Sequence, residues 1–279
     1  MKRWKVILAA AVLALAAAGC SSGKEKEEQP EKKVADLVIE VDGQDKKQET
    51  EPEGEKEGEK EEEKKPDQQK RSQTVVLDPG HSAVVAEGTE PLGPGSTENK
   101  AADTSGTSGT VSGLAEYELT LSVSQKLRDE LRSRGYTVLM TRESNDVPVS
   151  CIERADVANN AQADAFVRIH ANGSEDSSAK GAMTICITPD NPFYPELYEQ
   201  ARALSDCIIN NLSKATGCEN DGVWETDSMS GNNWSQVPAT IVEMGYMTNP
   251  EEDGLMATDD YQKKIVRGIA DGIDQYFGY

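Results

Sequence analysis

Thr74-Val75-Val76-Leu77-Asp78-Pro79-Gly80-His81 is an apolar run that reads as a buried strand ending in a Pro-Gly turn that presents a histidine. The chain has only two histidines, and the second closes an equivalent run, Ala165-Phe166-Val167-Arg168-Ile169-His170. Both imidazoles therefore fall at the carboxyl end of an expected strand. In open α/β sheets ligands bind at that end, because the connecting loops and helix starts converge there. Two histidines so placed suggest a metal site.

Outward from the first strand, Ser82 to Gly113 is rich in Gly, Ser, Thr and Pro and has no periodicity. A loop this long in a compact domain is usually functional or mobile, and since it leaves the strand just after His81 it is expected to border the site. A helix follows from about Ala115 to Arg134, capped by Gly135. Leu119, Val123, Leu127 and Leu131 repeat every fourth residue and, with Leu121, form its buried stripe. Glu116 falls on that stripe at the first turn, whereas Glu118 lines up with Ser122, Gln125 and Asp129 on the wet face. An inward carboxylate needs a partner, since burying an unpaired charge is costly. Stabilisation of the helix N-terminus would account for an exposed Glu116; its inward position favours a metal.

The rest of the chain alternates. Tyr136 to Thr141 reads as a strand, Ile152 to Ala161 as a short amphipathic helix, Ala165 to Ile169 as the third strand and Ala182 to Ile187 as the fourth. A long helix spans Tyr194 to Lys214 and is closed by Gly217. Pro238 precedes a last strand, Ala239 to Val242, which ends in Glu243, and a helix from about Asp260 to Phe277 finishes the chain. Strands alternating with helices imply one α/β domain, a mostly parallel twisted sheet with helices on both faces.

That domain is expected over 73–279. Residues 1–20 have a basic start (Lys2, Arg3, Lys5), an apolar stretch from Val6 to Ala18, and then Gly19-Cys20. This is the pattern of an export signal, too short in its apolar part to span a membrane. Its ending resembles a bacterial lipobox, in which Cys20 becomes the lipidated first residue of the mature protein; an ordinary signal with an incidental cysteine is the alternative. The expectation is an exported protein, lipid-anchored to the bacterial membrane and facing the cell wall. Residues 21–72 form a charged segment expected to be a disordered linker, with no aromatic residue and 18 acidic against 12 basic residues between 24 and 71. Because the whole chain carries a net charge of -21, most of the negative charge lies in the folded part, which argues against nucleic acid as its main ligand. Cys151, Cys186, Cys207 and Cys218 show no zinc-knuckle or CxxC spacing and are expected to be mostly buried thiols.

Zinc in hydrolytic sites takes three protein ligands and leaves one position for water. His81, Glu116 and His170 supply such a set, and Glu243, also at a strand end, supplies a carboxylate that need not bind metal. Together they would suit hydrolysis of an amide. Each residue alone is more often structural than catalytic after a strand, and no local HExxH is present.

Leu77-Asp78-Pro79-Gly80-His81, the block GLAEYELTLSVSQKLRDELRSRGYTVLMTR from Gly113 to Arg142, RADVANNAQADAFVRIHAN from Arg154 to Asn172 and PATIVEMGYMTNPEED from Pro238 to Asp253 decide between these readings. They resemble, in order, the blocks of the zinc-dependent N-acetylmuramoyl-L-alanine amidases, the type 3 cell-wall amidases. The resemblance runs from about Val75 to Tyr279. It implies a six-stranded sheet, Zn2+ held by His81, Glu116 and His170, Glu243 as the catalytic residue, and peptidoglycan as the partner. The implied reaction is hydrolysis of the amide between the lactyl group of N-acetylmuramic acid and L-alanine. The chain departs from the family in having Gly80-His81-Ser82-Ala83 where many members have GHGG, and Tyr117 where many have Lys. Asp78 is expected to support a ligating imidazole or to shape the turn. Arg142, Arg154, Asn159 and Asn172 are expected to support the fold, and Trp224 and Trp234 to line a sugar groove or to pack. A zinc peptidase cutting within the stem peptide and a silent wall-binding module are the competing functions; a monomer is expected.

Overall fold

The computed structural model describes residues 71–279; the expected signal, Cys20 and all of the expected linker before Arg71 lie outside the described residues. Eight strands form. The main sheet is built from β1 (Thr74–Pro79), β4 (Thr137–Met140), β5 (Ala165–Asn172), β6 (Ala182–Cys186), β7 (Asn220–Glu225) and β8 (Ala239–Tyr246), in the order β4-β1-β5-β8-β6-β7. Every neighbouring pair is parallel except β6 with β8. Two further strands, β2 (Thr89–Pro91) and β3 (Asn99–Ala101), pair as a small antiparallel hairpin within the long loop after His81. The sheet is therefore six-stranded and mostly parallel, as the resemblance implied. The residue pattern alone missed β7: its sequence, Asn-Asp-Gly-Val-Trp-Glu, has turn formers and no alternation, which an edge strand tolerates.

Helices α1 (Glu116–Ser133), α3 (Tyr198–Thr216) and α6 (Asp259–Phe277) cover one face of the sheet, and α2 (Cys151–Asn160) with the single turn α4 (Ser230–Asn233) covers part of the other. The remaining helix, α5 (Pro250–Met256), follows β8 and precedes α6. On α1, Leu119, Val123, Leu127 and Leu131 are buried against β1, α6 and the neighbouring strands, worth about 1.5–3 kcal/mol each. The second face is thinner. Its core is the small group Val76, Phe166, Ala155, Ala158 and Ala239 near the start of the strands. Toward the strand ends, Arg168 and Ile241 are directly paired, as are His170 and Glu243. Paired residues project from the same side of a sheet, so these four look out where the helical cover stops.

The four cysteines of the folded part are free; only Cys186 is fully buried, while Cys151, Cys207 and Cys218 are half-buried, a looser arrangement than the expected buried thiols. Arg71, which composition placed in the charged segment, is docked. Its guanidinium lies over the rings of Tyr136 and Tyr279, 4.7 and 4.5 Å from their centroids, and pairs with Asp274.

Candidate active site

The Pro-Gly turn after β1 is held open by arginines. Arg142 donates through Nε to the Pro79 carbonyl at 3.0 Å and through Nη2 to that of Gly80 at 2.9 Å. Arg154 donates to the carbonyls of Pro79 and His81 at 2.7 and 3.0 Å, and the Thr120 hydroxyl adds a bond to the Gly80 carbonyl at 2.8 Å. This framework fixes His81 at φ 60°, a left-handed conformation that costs a residue with a Cβ about 1–2 kcal/mol and marks a position determined by its surroundings.

Asp78 is the counter-charge of that framework. It is wholly buried and accepts from Thr141 Oγ1 at 2.6 Å, Arg154 Nη1 at 2.8 Å and Arg168 Nε at 2.9 Å. Burial alone would raise its proton affinity; the guanidinium groups of Arg154 and Arg168 prevail and hold the carboxyl well below the usual range. Asp78 touches neither imidazole, so the expected partner of a ligating histidine is a partner of arginines, one step removed from the site. Arg142 and Arg154 support the turn as expected. Asn159 does so elsewhere, bonding the Trp234 carbonyl at 3.0 Å and accepting from Gln236 N at 2.7 Å. Trp234 packs, its indole N–H on the Pro91 carbonyl at 2.8 Å, while Trp224 stands half exposed on β7 and Asn172 lines the cavity described below.

The structure brings His81, Glu116 and His170 together: one donor atom from each lies within 4.8 Å of the others. Glu116 Oε1 stands 3.1 Å from both His81 Nε2 and His170 Nδ1. Glu116 sits at the first turn of α1 on its buried stripe, as its spacing predicts, whereas Glu118 stays exposed and accepts from the Ala115 N–H at 2.9 Å. Backbone donors orient the inward carboxylate: Thr107 N–H reaches Oε2 at 2.9 Å and Ala171 N–H reaches Oε1 at 3.1 Å. The loop before α1 thus borders the site, and it also sets a tautomer. His81 Nδ1 faces the Thr104 carbonyl at 2.8 Å, an acceptor only, so this nitrogen carries the proton and Nε2 is left free. Two glycines make room. A Cβ on Gly80 would lie 2.4 Å from His170 Cε1, and one on Gly106 (φ 73°) would lie 2.6 Å from Glu116 Oε2.

Two buried polar atoms here have no hydrogen-bond partner, His170 Nε2 and Glu243 Oε2. Such orphans are rare and need an explanation. Burial pushes the His170 imidazolium down to about 4, which leaves the neutral, ligating ring. For Glu116, burial raises the carboxyl, but the imidazoles of His170 and His81 beside it outweigh this and keep the carboxylate ionised. A carboxylate 3.1 Å from one nitrogen of each of two imidazoles is a donor set that fits zinc. Glu243 differs. Burial first, then the negative charge of Glu116, pushes its carboxyl up to about 8, the range of a group that gains and loses a proton near neutrality. These residues line a cavity of about 730 Å³ together with Lys100, Arg168, Ser228 and Met229. The sequence reading passed over Arg168 and Lys100; a charged residue inside the apolar β5 run was the signal for the first.

A family model described as N-acetylmuramoyl-L-alanine amidase (Amidase_3) matches residues 75–275. An N-acetylmuramoyl-L-alanine amidase of Mycobacterium tuberculosis is 32% identical over 206 residues, which span 70% of this chain and 84% of the relative. The probable cell wall amidase of Staphylococcus aureus is 29% identical over 207 residues, 74% of this chain and 59% of that protein. Among solved structures, the N-acetylmuramyl-L-alanine amidase of Mycobacterium smegmatis superposes with a TM-score of 0.68 at 25% identity, covering 74% of this chain and 97% of that one.

Proposed function

The chain belongs to the N-acetylmuramoyl-L-alanine amidase family, and from that premise we propose that His81, Glu116 and His170 hold Zn2+ and that Glu243 carries the proton of the reaction. Its activity is that of a peptidoglycan amidase. When bound, zinc supplies Lewis acidity at the scissile carbonyl and brings the pKa of water to about 7. The protein's own groups do the rest. Thr104 fixes the His81 tautomer, Thr107 and Ala171 aim the Glu116 carboxylate, and the Arg142–Arg154 framework holds the turn that carries His81. Glu243 takes the proton of the attacking water and returns it to the departing L-alanine nitrogen, so the free amine leaves neutral. The observation that carries this reading is the meeting of one nitrogen from each histidine with Glu116 Oε1, at 3.1 Å each, beside the unpartnered Glu243 Oε2 on the strand paired with His170. The first is a donor set that fits a metal; the second is a carboxyl poised to exchange a proton.

The test is to strip the metal, digest peptidoglycan with and without restored zinc, and identify products by mass spectrometry. Zinc-dependent release of stem peptides with a free L-alanine amino terminus is expected; zinc-dependent cuts inside the stem would sink the reading and establish a peptidase. Export also belongs to the proposal. Among the described residues no helix is long and apolar enough to cross a membrane; the attachment proposed is at Cys20. Lipidation there, with the charged segment of residues 21–72 as spacer, lets a monomeric domain work in the wall. A Cys20→Ala protein that stayed in the membrane fraction after signal cleavage would refute the anchor.

A further inference from the structure

The catalytic cavity has one wall that the metal and Glu243 do not explain. The β2–β3 hairpin closes it, clasped to the segment around α4 by Asn233 Nδ2 on the Leu92 carbonyl (3.1 Å) and Trp234 Nε1 on the Pro91 carbonyl (2.8 Å). From β3, Lys100 reaches the cavity, where its Nζ donates to the Ser228 carbonyl at 2.8 Å. An ammonium has three donors, and only this one bond is made among the described residues. No carboxylate of the described residues lies within 4.0 Å of it. Arg168, the other cation lining the cavity, is committed to Asp78 at 2.9 Å. Lys100 is thus the one cation of the cavity wall without a counter-ion, in a chain whose net charge of -21 repels anions at longer range.

The chemistry of the substrate says what such a group meets. The lactyl carboxyl of the muramyl sugar is consumed in the scissile amide and the glycan is otherwise neutral. Every carboxylate near the bond therefore belongs to the stem peptide, and the first beyond L-alanine is the free α-carboxylate of the second, γ-linked residue. One residue spans about 3.3–3.6 Å of extended chain, so that group falls within a cavity of this size.

We propose that Lys100 is a specificity-determining residue that binds the α-carboxylate of the second stem residue, so that the enzyme prefers stems with this group free over stems with it amidated. The inference rests on the amidase reading. A charged hydrogen bond partly shielded from water is worth about 1.5 kcal/mol, close to tenfold in specificity. It acts on binding, so the difference is expected in KM.

The experiment gives the zinc-loaded full chain two substrates, N-acetylmuramoyl-L-alanyl-D-isoglutamate and its D-isoglutamine counterpart. Wild type is expected to favour the free acid about tenfold in kcat/KM, Lys100→Met to bring that ratio near one, and Lys100→Arg to restore most of it. Equal efficiency of wild type on both substrates would overturn the proposal and leave the amidase reading intact. So would a Lys100→Met variant that lost both activities in proportion, since Lys100 would then be only a strut of the hairpin. If zinc-loaded wild type cut neither substrate, the amidase reading would fail and the proposal with it.

Discussion

Two buried polar clusters sit side by side at the ends of β1 and β5. Around Asp78, three donors from Thr141, Arg154 and Arg168 close on the carboxylate, and the Arg154 guanidinium spends other hydrogens on the Pro79 and His81 carbonyls. Around Glu116, the two histidines approach but do not complete the set, and His170 Nε2 and Glu243 Oε2 are left without partners. The first cluster is closed and the second is open. A closed network fixes geometry, whereas an open one keeps a place for something that comes and goes, and here the closed cluster holds the residue that carries the open one.

The largest expected effect breaks the closed side. Arg154→Met leaves Asp78 buried with one guanidinium lost and should cost about 3–5 kcal/mol in urea unfolding; a loss under 1 kcal/mol would show that the network is ornamental. Next comes the open side. Glu243→Gln should lower kcat by about 10²–10⁴ with zinc content unchanged by elemental analysis, and near-normal turnover with zinc bound would remove Glu243 from the mechanism. The third effect separates the metal ligands from Glu243. At zinc one hundredfold above its dissociation constant, stabilisation of wild type should be about 2.7 kcal/mol, and His170→Ala should abolish it, whereas Glu243→Gln should leave the zinc increment in place.

A further effect is a pH dependence of the metal-free protein. The Glu243 carboxyl is raised from 4.5 to about 8 in the folded state, by burial and then by Glu116. The folded state therefore holds a proton that the unfolded chain has released, and stability falls with rising pH across that window. The contribution is present in full below about 4.5 and is lost as pH climbs to about 8. A fall of several degrees in Tm from pH 5 to pH 8, relative to Glu243→Gln measured in parallel, is expected. Parallel curves for the two proteins would show that the carboxyl is not shifted.

The comparison also explains what was legible in the sequence. His81 and His170 were readable because each ends an apolar run, and Glu116 because a fourfold repeat fixes which face of α1 it joins. Those are statements about periodicity, which sequence records directly. The role of Asp78 was not readable. Its spacing of three residues from His81 suggests proximity, but the Pro-Gly turn and the left-handed φ of His81 send the imidazole away from the carboxylate, and the arginines that claim Asp78 arrive from distant elements. The hairpin bearing Lys100 was hidden for a related reason: two three-residue strands in a run of Gly, Ser and Pro carry no pattern of their own and are held by contacts to α4.

One contact lies at the other end of the molecule. Arg71, gripped by Tyr136, Tyr279 and Asp274, precedes β1, and His81 follows it, with six residues or about 20 Å of strand between them. Traction delivered along the chain from its amino-terminal side is taken up by this grip before it reaches the first rung of the sheet. Such a load falls first on an aromatic clamp that plays no part in the chemistry.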